Sequence, residues 1–93
     1  MPRQPRLDAP DVLHHVMVRG LERRALFRDD TDRADFVARL ARLAERGALT
    51  VYARALLPTH AHLLVRSGPA GLQRYMRRCL TGYAITFSRR HPY

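Results

Sequence analysis

The chain has 93 residues, of which 46% are hydrophobic and 27% charged, so it is long enough for one small globular domain and too apolar for a disordered chain. All 17 basic residues are arginine, and the formal net charge is +9. The one cysteine, Cys79, excludes an internal disulfide and a cysteine-based zinc site, and we expect it to be a small core residue.

The N-terminal residues are rich in proline and arginine and lack the apolar segment of a secretory signal. We expect a flexible basic arm over residues 1–11, followed by a single domain over 12–93. Because a secretory signal is lacking, we expect a cytoplasmic protein. A membrane partner is the weaker alternative to nucleic acid, since no segment combines a basic face with an apolar run of lipid-spanning length.

The first two elements of the domain are a strand and a helix. The valine-rich segment 12–20 predicts a strand with His14 on one face and His15 on the other. A run of acidic residues at 29–32 precedes apolar residues at helical spacing, and Gly47 follows them. This pattern predicts a helix over about residues 31–46.

Two further strands should form a hairpin, because Pro58-Thr59 interrupts an otherwise apolar run. Alternation along the first of them places Leu49, Val51, Ala53 and Ala55 opposite Thr50, Tyr52, Arg54 and Leu56. A last helix over about residues 70–90 then has an apolar stripe formed by Met76, Cys79, Tyr83 and Phe87.

The element order is strand, helix, strand, strand, helix. It predicts an α+β fold of ferredoxin-like type, βαββα, in which the last strand is absent and two helices lie on one face of an antiparallel sheet. An incomplete sheet has an unpaired edge that a second copy could cover, so a homodimer is a further expectation.

The motif His60-Ala61-His62 is the strongest candidate site. Alternation in a strand places His60 and His62 on the same face, where their rings could share a cation. Imidazoles with water and phosphate oxygens would suit Mg²⁺ or Mn²⁺. Either His14 or His15 could add to the pair if the first strand neighbours the histidine strand. The alternative is that both rings simply face solvent.

The charge distribution favours a polyanionic partner. The last acidic residue is Glu45, and every charged side chain after it is arginine. We therefore expect nucleic-acid binding, with Arg74, Arg77 and Arg78 of the last helix as contacts to the backbone. The alternative is a basic surface that only keeps the protein soluble.

Several motifs in one order resemble a known family. The stretches "HHVMVRGLERRALFRDD", "ALLPTHAHLLV" and "LTGYAITFSRRHPY" resemble the N-terminal portion of the IS200-like, REP-associated tyrosine transposases. These are single-tyrosine members of the HUH endonuclease superfamily. The similarity extends from about His14 to the C-terminus. The family's usual Asn before the first histidine is replaced by Thr59.

The resemblance implies a ferredoxin-like sheet that presents His60 and His62 to a divalent cation at a scissile DNA phosphate. It implies single-stranded or hairpin DNA as the substrate and a 5′-phosphotyrosine intermediate. The family's nucleophilic tyrosine lies on a later helix with a Tyr-Ile-x-x-Asn-Pro pattern that this sequence does not contain. We therefore assign the nucleophile to no residue, and we expect this chain alone to be inactive.

A different class of function is also consistent with these residues. Without the nucleophile, the chain could be a non-catalytic, single-stranded nucleic-acid-binding remnant of such a transposase. Tyr83 lies within the apolar stripe, so we expect it to be a core residue.

Overall fold

A computed structural model of the chain describes residues 9–20 and 24–92. Its elements are β1 (Leu13–Arg19), α1 (Asp30–Glu45), β2 (Leu49–Leu56), β3 (His60–Ser67) and α2 (Gln73–Arg90). Within these residues the three strands form an antiparallel sheet in the order β1-β3-β2, and both helices pack on one face of it. The predicted α+β, ferredoxin-like arrangement without a fourth strand is confirmed.

Helix α1 begins and ends at the residues that its sequence favours. The carboxylate of Asp29 accepts a hydrogen bond of 3.0 Å from the backbone N–H of Asp32, which satisfies one of the unpaired donors of the first turn. At the other end Gly47 has a φ of 77°, a left-handed conformation that glycine adopts without strain. The helix lies within one residue of the predicted boundaries.

Alternation along β3 separates the two faces of the sheet. Ala61, Leu63 and Val65 are completely buried and form the centre of the core. The core also includes the helix residues Phe36, Leu40, Leu43, Met76, Cys79 and Tyr83. The predicted core positions of Cys79 and Tyr83 are therefore confirmed.

Strand β2 departs from simple alternation. A bulge interrupts its pairing with β3 between Val51 and Ala53, and Tyr52 has no partner in the register. Beyond the bulge the two faces exchange, so that Leu56 packs against the core. The predicted division of β2 into two faces was therefore wrong after Tyr52. The bulge buries a large leucine in place of Ala55, which removes more apolar surface from water.

The predicted basic arm over residues 1–11 falls mostly outside the described residues. Of its last residues, Ala9 accepts a hydrogen bond of 2.6 Å from the hydroxyl of Ser67, and the backbone N–H of Asp11 donates to the Ser67 carbonyl at 3.1 Å. Over residues 9–20 and 24–92, neither helix has the length and the hydropathy needed to cross a membrane.

Candidate metal and nucleic-acid site

His60 and His62 lie together on the open face of the sheet, which is the face turned away from the helices. Their neighbour Ala61 is completely buried on the opposite side. The two ring centroids are 5.0 Å apart, and the ring planes are nearly perpendicular, at 83°. The prediction that both rings project from one face is confirmed.

A third histidine joins this pair from the neighbouring strand. The Nε2 atom of His15 lies 3.1 Å from the Nδ1 atom of His62, and the two rings are stacked with centroids 5.2 Å apart. His14 instead points into the core, where its Nε2 atom has no hydrogen-bond partner in the described part of the chain. Of the two additional histidines that the sequence suggested, the open face includes His15.

Among the described residues, the hydrogen bonds of the pair use one nitrogen of each ring. Thr59 Oγ1 lies 3.0 Å from Nδ1 of His60, and Nδ1 of His62 is occupied by His15. No described residue hydrogen-bonds Nε2 of His60 or of His62. In the tautomer that is protonated at Nδ1, each Nε2 lone pair is free to bind a cation. Thr59 and His15 would then fix the orientation of the ligand rings.

Both rings line a cleft of about 450 Å³ at the end of β1 and the start of β3. Its lining is formed by Met17, Arg19, Gly20, Arg24, Thr59, His60 and His62. A side chain at Gly20 would clash with the carbonyl oxygen of Arg24, so glycine permits the close return of the chain here. The described lining includes two histidines and two arginines, and none of its described residues is acidic, a composition that suits a cation held together with an anionic substrate.

A second polar cluster lies in the helix layer. Asp29, Asp32 and His91 each offer a ligand atom, and these atoms lie within 4.8 Å of one another, so the three residues could hold a metal ion. Among the described residues, no other group of three or more His, Cys, Asp or Glu side chains has ligand atoms this close together. The sequence did not predict this cluster, because His91 follows Asp32 by 59 positions.

The carboxylate of Asp32 is completely buried and already has cationic and neutral donors. It accepts hydrogen bonds from the backbone N–H of Arg28 at 2.8 Å and from Nε of Arg90 at 2.8 Å. Nε2 of His91 lies 2.8 Å from its second oxygen. Burial alone would raise the pKa of Asp32, but the hydrogen bonds from Arg28, His91 and Arg90 outweigh it and hold the pKa below its usual value. A cation would have to displace these donors.

The predicted DNA contacts are not adjacent to the histidines. Arg74, Arg77 and Arg78 are exposed on α2, and this helix packs on the sheet face opposite to His60 and His62. The structure instead places Arg19 on the open face. The sequence could have predicted this position, since Arg19 follows His15 by four residues in β1 and alternation places both on the same face.

The described tyrosines are divided between the two sides of the sheet. Tyr83 is buried, its hydroxyl donates to the Leu26 carbonyl at 2.6 Å, and burial raises the pKa of its phenol. Tyr75 packs against the same core. Tyr52 is exposed on the open face, where its hydroxyl accepts a hydrogen bond of 3.2 Å from Arg66 Nε.

Comparisons of the chain with protein-family models, with curated proteins and with solved structures found no match.

Proposed function

We propose that this chain is the metal- and DNA-binding part of a tyrosine transposase of the HUH type, acting on single-stranded or hairpin DNA in the cytoplasm. The observation that carries the proposal is the pair of Nε2 atoms on His60 and His62, which no described residue hydrogen-bonds and whose Nδ1 atoms lie against Thr59 and His15. The motifs that resemble the family supply the class of reaction.

The residues of the cleft supply part of the coordination that a divalent cation such as Mg²⁺ or Mn²⁺ needs. His60 and His62 would supply two nitrogen ligands, and water or substrate oxygens would complete the coordination in the open cleft. Bound there, the cation would withdraw electron density from a scissile phosphate and offset its developing charge. The ligands of the helix-layer cluster fit less well, because Arg90 already neutralises Asp32.

The arginines around the cleft would hold the DNA backbone. Arg19 and Arg24 line the same cleft as the histidines and present guanidinium groups, which match phosphate oxygens in geometry and charge. Arg74, Arg77 and Arg78 would contact a more distant part of a hairpin substrate from the other side of the sheet. We assign the attacking tyrosine to no described residue.

A second copy of the chain is a further proposed partner. In the described sheet β1 pairs with β3 alone, so its other edge can accept a strand. Sedimentation of a pure monomer at high protein concentration would remove this part of the proposal.

The metal site is tested by calorimetric titration of the full chain with Mn²⁺. The double variant His60→Ala, His62→Ala should lose binding, because both nitrogen ligands are removed. The matched control is Asp29→Asn, which removes a carboxylate from the helix-layer cluster and keeps a good N-cap residue. Mn²⁺ binding that survives the histidine changes and is lost in Asp29→Asn would contradict the proposal.

The non-catalytic alternative is separated from the enzyme by a second assay. A hairpin-containing single-stranded DNA is incubated with the chain and Mn²⁺, and both retention and cleavage are measured at several salt concentrations. Cleavage that requires His60 and His62 supports the enzyme, whereas salt-dependent retention without cleavage supports a nucleic-acid-binding remnant. Retention that does not vary with salt would contradict both.

A further inference from the structure

The open face of the sheet is unusually apolar for a surface that faces solvent. Four large apolar or aromatic side chains are strongly exposed there: Leu13 (50%), Met17 (47%), Tyr52 (56%) and Leu64 (36%). The solvated face of an antiparallel sheet is normally polar. Several exposed apolar side chains on a face that also has arginines are typical of a binding surface.

Tyr52 is held in place on this face by Arg66. The Nε atom of Arg66 donates to the Tyr52 hydroxyl at 3.2 Å, and the guanidinium carbon lies 5.9 Å from the ring centroid. Arg66 is itself held by Asp11, through the backbone carbonyl at 3.3 Å and the carboxylate at 3.6 Å. The ring is therefore ordered before any partner binds, although more than half of it is exposed.

The bulge in β2 prepares the surface between Tyr52 and the histidines. It turns Ala53 and Ala55 onto the open face, opposite Leu64 and His62 of β3. Because these alanines end at Cβ, the surface between the Tyr52 ring and the His62 ring is low and uncovered. Arg66 follows His62 by four residues, which is roughly 13 Å along a strand. A short stretch of single-stranded nucleic acid could therefore reach from one end of this surface to the other.

The charge of the open face is complementary to a nucleic-acid backbone. Its described cationic side chains include Arg19 at the histidine end and Arg66 at the tyrosine end. In the described part of the face the only carboxylate is that of Asp11, at the outer end beside Arg66. An apolar, aromatic floor between two guanidinium groups suits a strand whose bases are unpaired.

We propose that Tyr52 and Arg66 form a subsite that stacks an unpaired base of a DNA strand lying across the open face from the histidine cleft. The inference rests on the proposed function, since it assigns this strand to the same substrate. Tyr52 supplies the ring, and Arg66 both orients the ring and pairs with the adjacent phosphate. Tyr52 is thus a binding residue that selects single-stranded over paired DNA.

The test is fluorescence anisotropy with a labelled oligothymidylate, measured in EDTA so that binding does not depend on the metal. Tyr52→Leu should weaken binding about tenfold, because one stacked base is lost, and Tyr52→Phe should restore most of the affinity. An oligonucleotide that is abasic throughout should bind the parent and Tyr52→Leu equally. Circular dichroism and thermal unfolding confirm that each variant folds.

Arg66→Gln should lower the slope of log affinity against log salt by about 0.7, the contribution of one phosphate contact in a single strand. The matched control is Arg54→Gln, because Arg54 lies on the same pair of strands, in register with Leu63, and therefore on the opposite face. It should leave the slope close to that of the parent.

The outcomes separate the two proposals. If the parent binds the oligonucleotide and Tyr52→Leu binds equally well, the base subsite is wrong and the proposed function stands. If the parent binds no oligonucleotide at any salt concentration, the proposed function is wrong and the subsite with it. If vesicles containing anionic lipid bind the parent and oligonucleotides do not, the open face is a membrane surface, and the subsite is overturned.

Discussion

Two histidine clusters lie on opposite sides of the same sheet, and their partners differ. In the helix layer His91 meets the buried carboxylate of Asp32, which Arg90 also contacts. On the open face His60 and His62 contact each other, His15 and the hydroxyl of Thr59, and within residues 9–20 and 24–92 they have no hydrogen bond to a carboxylate. In the first cluster a guanidinium and an imidazole both contact one carboxylate. In the second, Nε2 of His60 and Nε2 of His62 have no hydrogen-bond partner in the described part of the chain.

Under the proposed function, the neighbours of each histidine would determine its role more than its exposure does. A histidine beside a carboxylate and a guanidinium stabilises the packing of two helix ends, α1 at its start and α2 at its finish. Histidines that line a cleft and have no carboxylate partner among the described residues are candidates for binding a ligand. Substitutions in the helix-layer cluster should therefore lower the free energy of unfolding. Substitutions in the open-face cluster should instead weaken metal binding.

The largest effect is expected from Asp32→Ala. The change leaves Arg90 and His91 without their shared carboxylate, and the free energy of unfolding should fall by about 3 kcal/mol. Urea denaturation measures it. The control Asp30→Asn removes an exposed carboxylate from the same helix turn and should change the free energy by less than about 0.5 kcal/mol. Equal losses in the two variants would show that the helix-layer cluster does not stabilise the fold.

A related, smaller effect is expected in acid. Because the pKa of Asp32 is lower in the folded state than its usual value of 3.8, its ion pairs stabilise the fold fully above about pH 4. This stability is lost as the pH falls through the folded pKa. Stability should therefore decline below pH 4 in the parent and decline less in Asp32→Asn. A parent and a variant with parallel pH profiles would contradict this assignment.

On the open face, Thr59→Val should weaken Mn²⁺ binding about tenfold. The valine keeps the shape of the side chain and removes the hydroxyl that orients His60, and loss of such outer partners reduces metal affinity by about ten- to a hundredfold. Calorimetry detects the change. Unchanged affinity in Thr59→Val would mean that the hydroxyl does not orient the ring.

The smallest effect on stability should come from removing the two proposed metal ligands. His60→Ala, His62→Ala is expected to change the free energy of unfolding by less than about 1 kcal/mol, because both rings are half-exposed and neither forms an ion pair with a described residue. A loss as large as that of Asp32→Ala would indicate that the open-face histidines are structural.

The sequence predicted those features that depend on local periodicity. Strand alternation placed His60 and His62 on one face, helical spacing placed Cys79 and Tyr83 in the core, and Gly47 marked the end of α1. These predictions succeeded because each rests on neighbours within a few residues.

Features that depend on distant pairing could not be predicted in this way. The bulge at Tyr52 exists because burying Leu56 requires a shift of register against β3, and only the assembled sheet imposes it. The Asp32–His91 contact joins residues 59 positions apart, at the ends of two helices. The packing of α2 on the sheet also determines where its arginines lie. The sequence analysis therefore did not place these arginines and the histidines on opposite sides of the sheet.

The most direct test of the contrast between the two clusters is a titration with paramagnetic Mn²⁺, followed by NMR of the histidine ring protons. The full chain has five histidines, so each ring can be assigned by single substitution. We expect the signals of His15, His60 and His62 to broaden at the lowest Mn²⁺ concentrations while that of His91 stays sharp. Early broadening of His91, with the signals of His60 and His62 unchanged, would contradict the account.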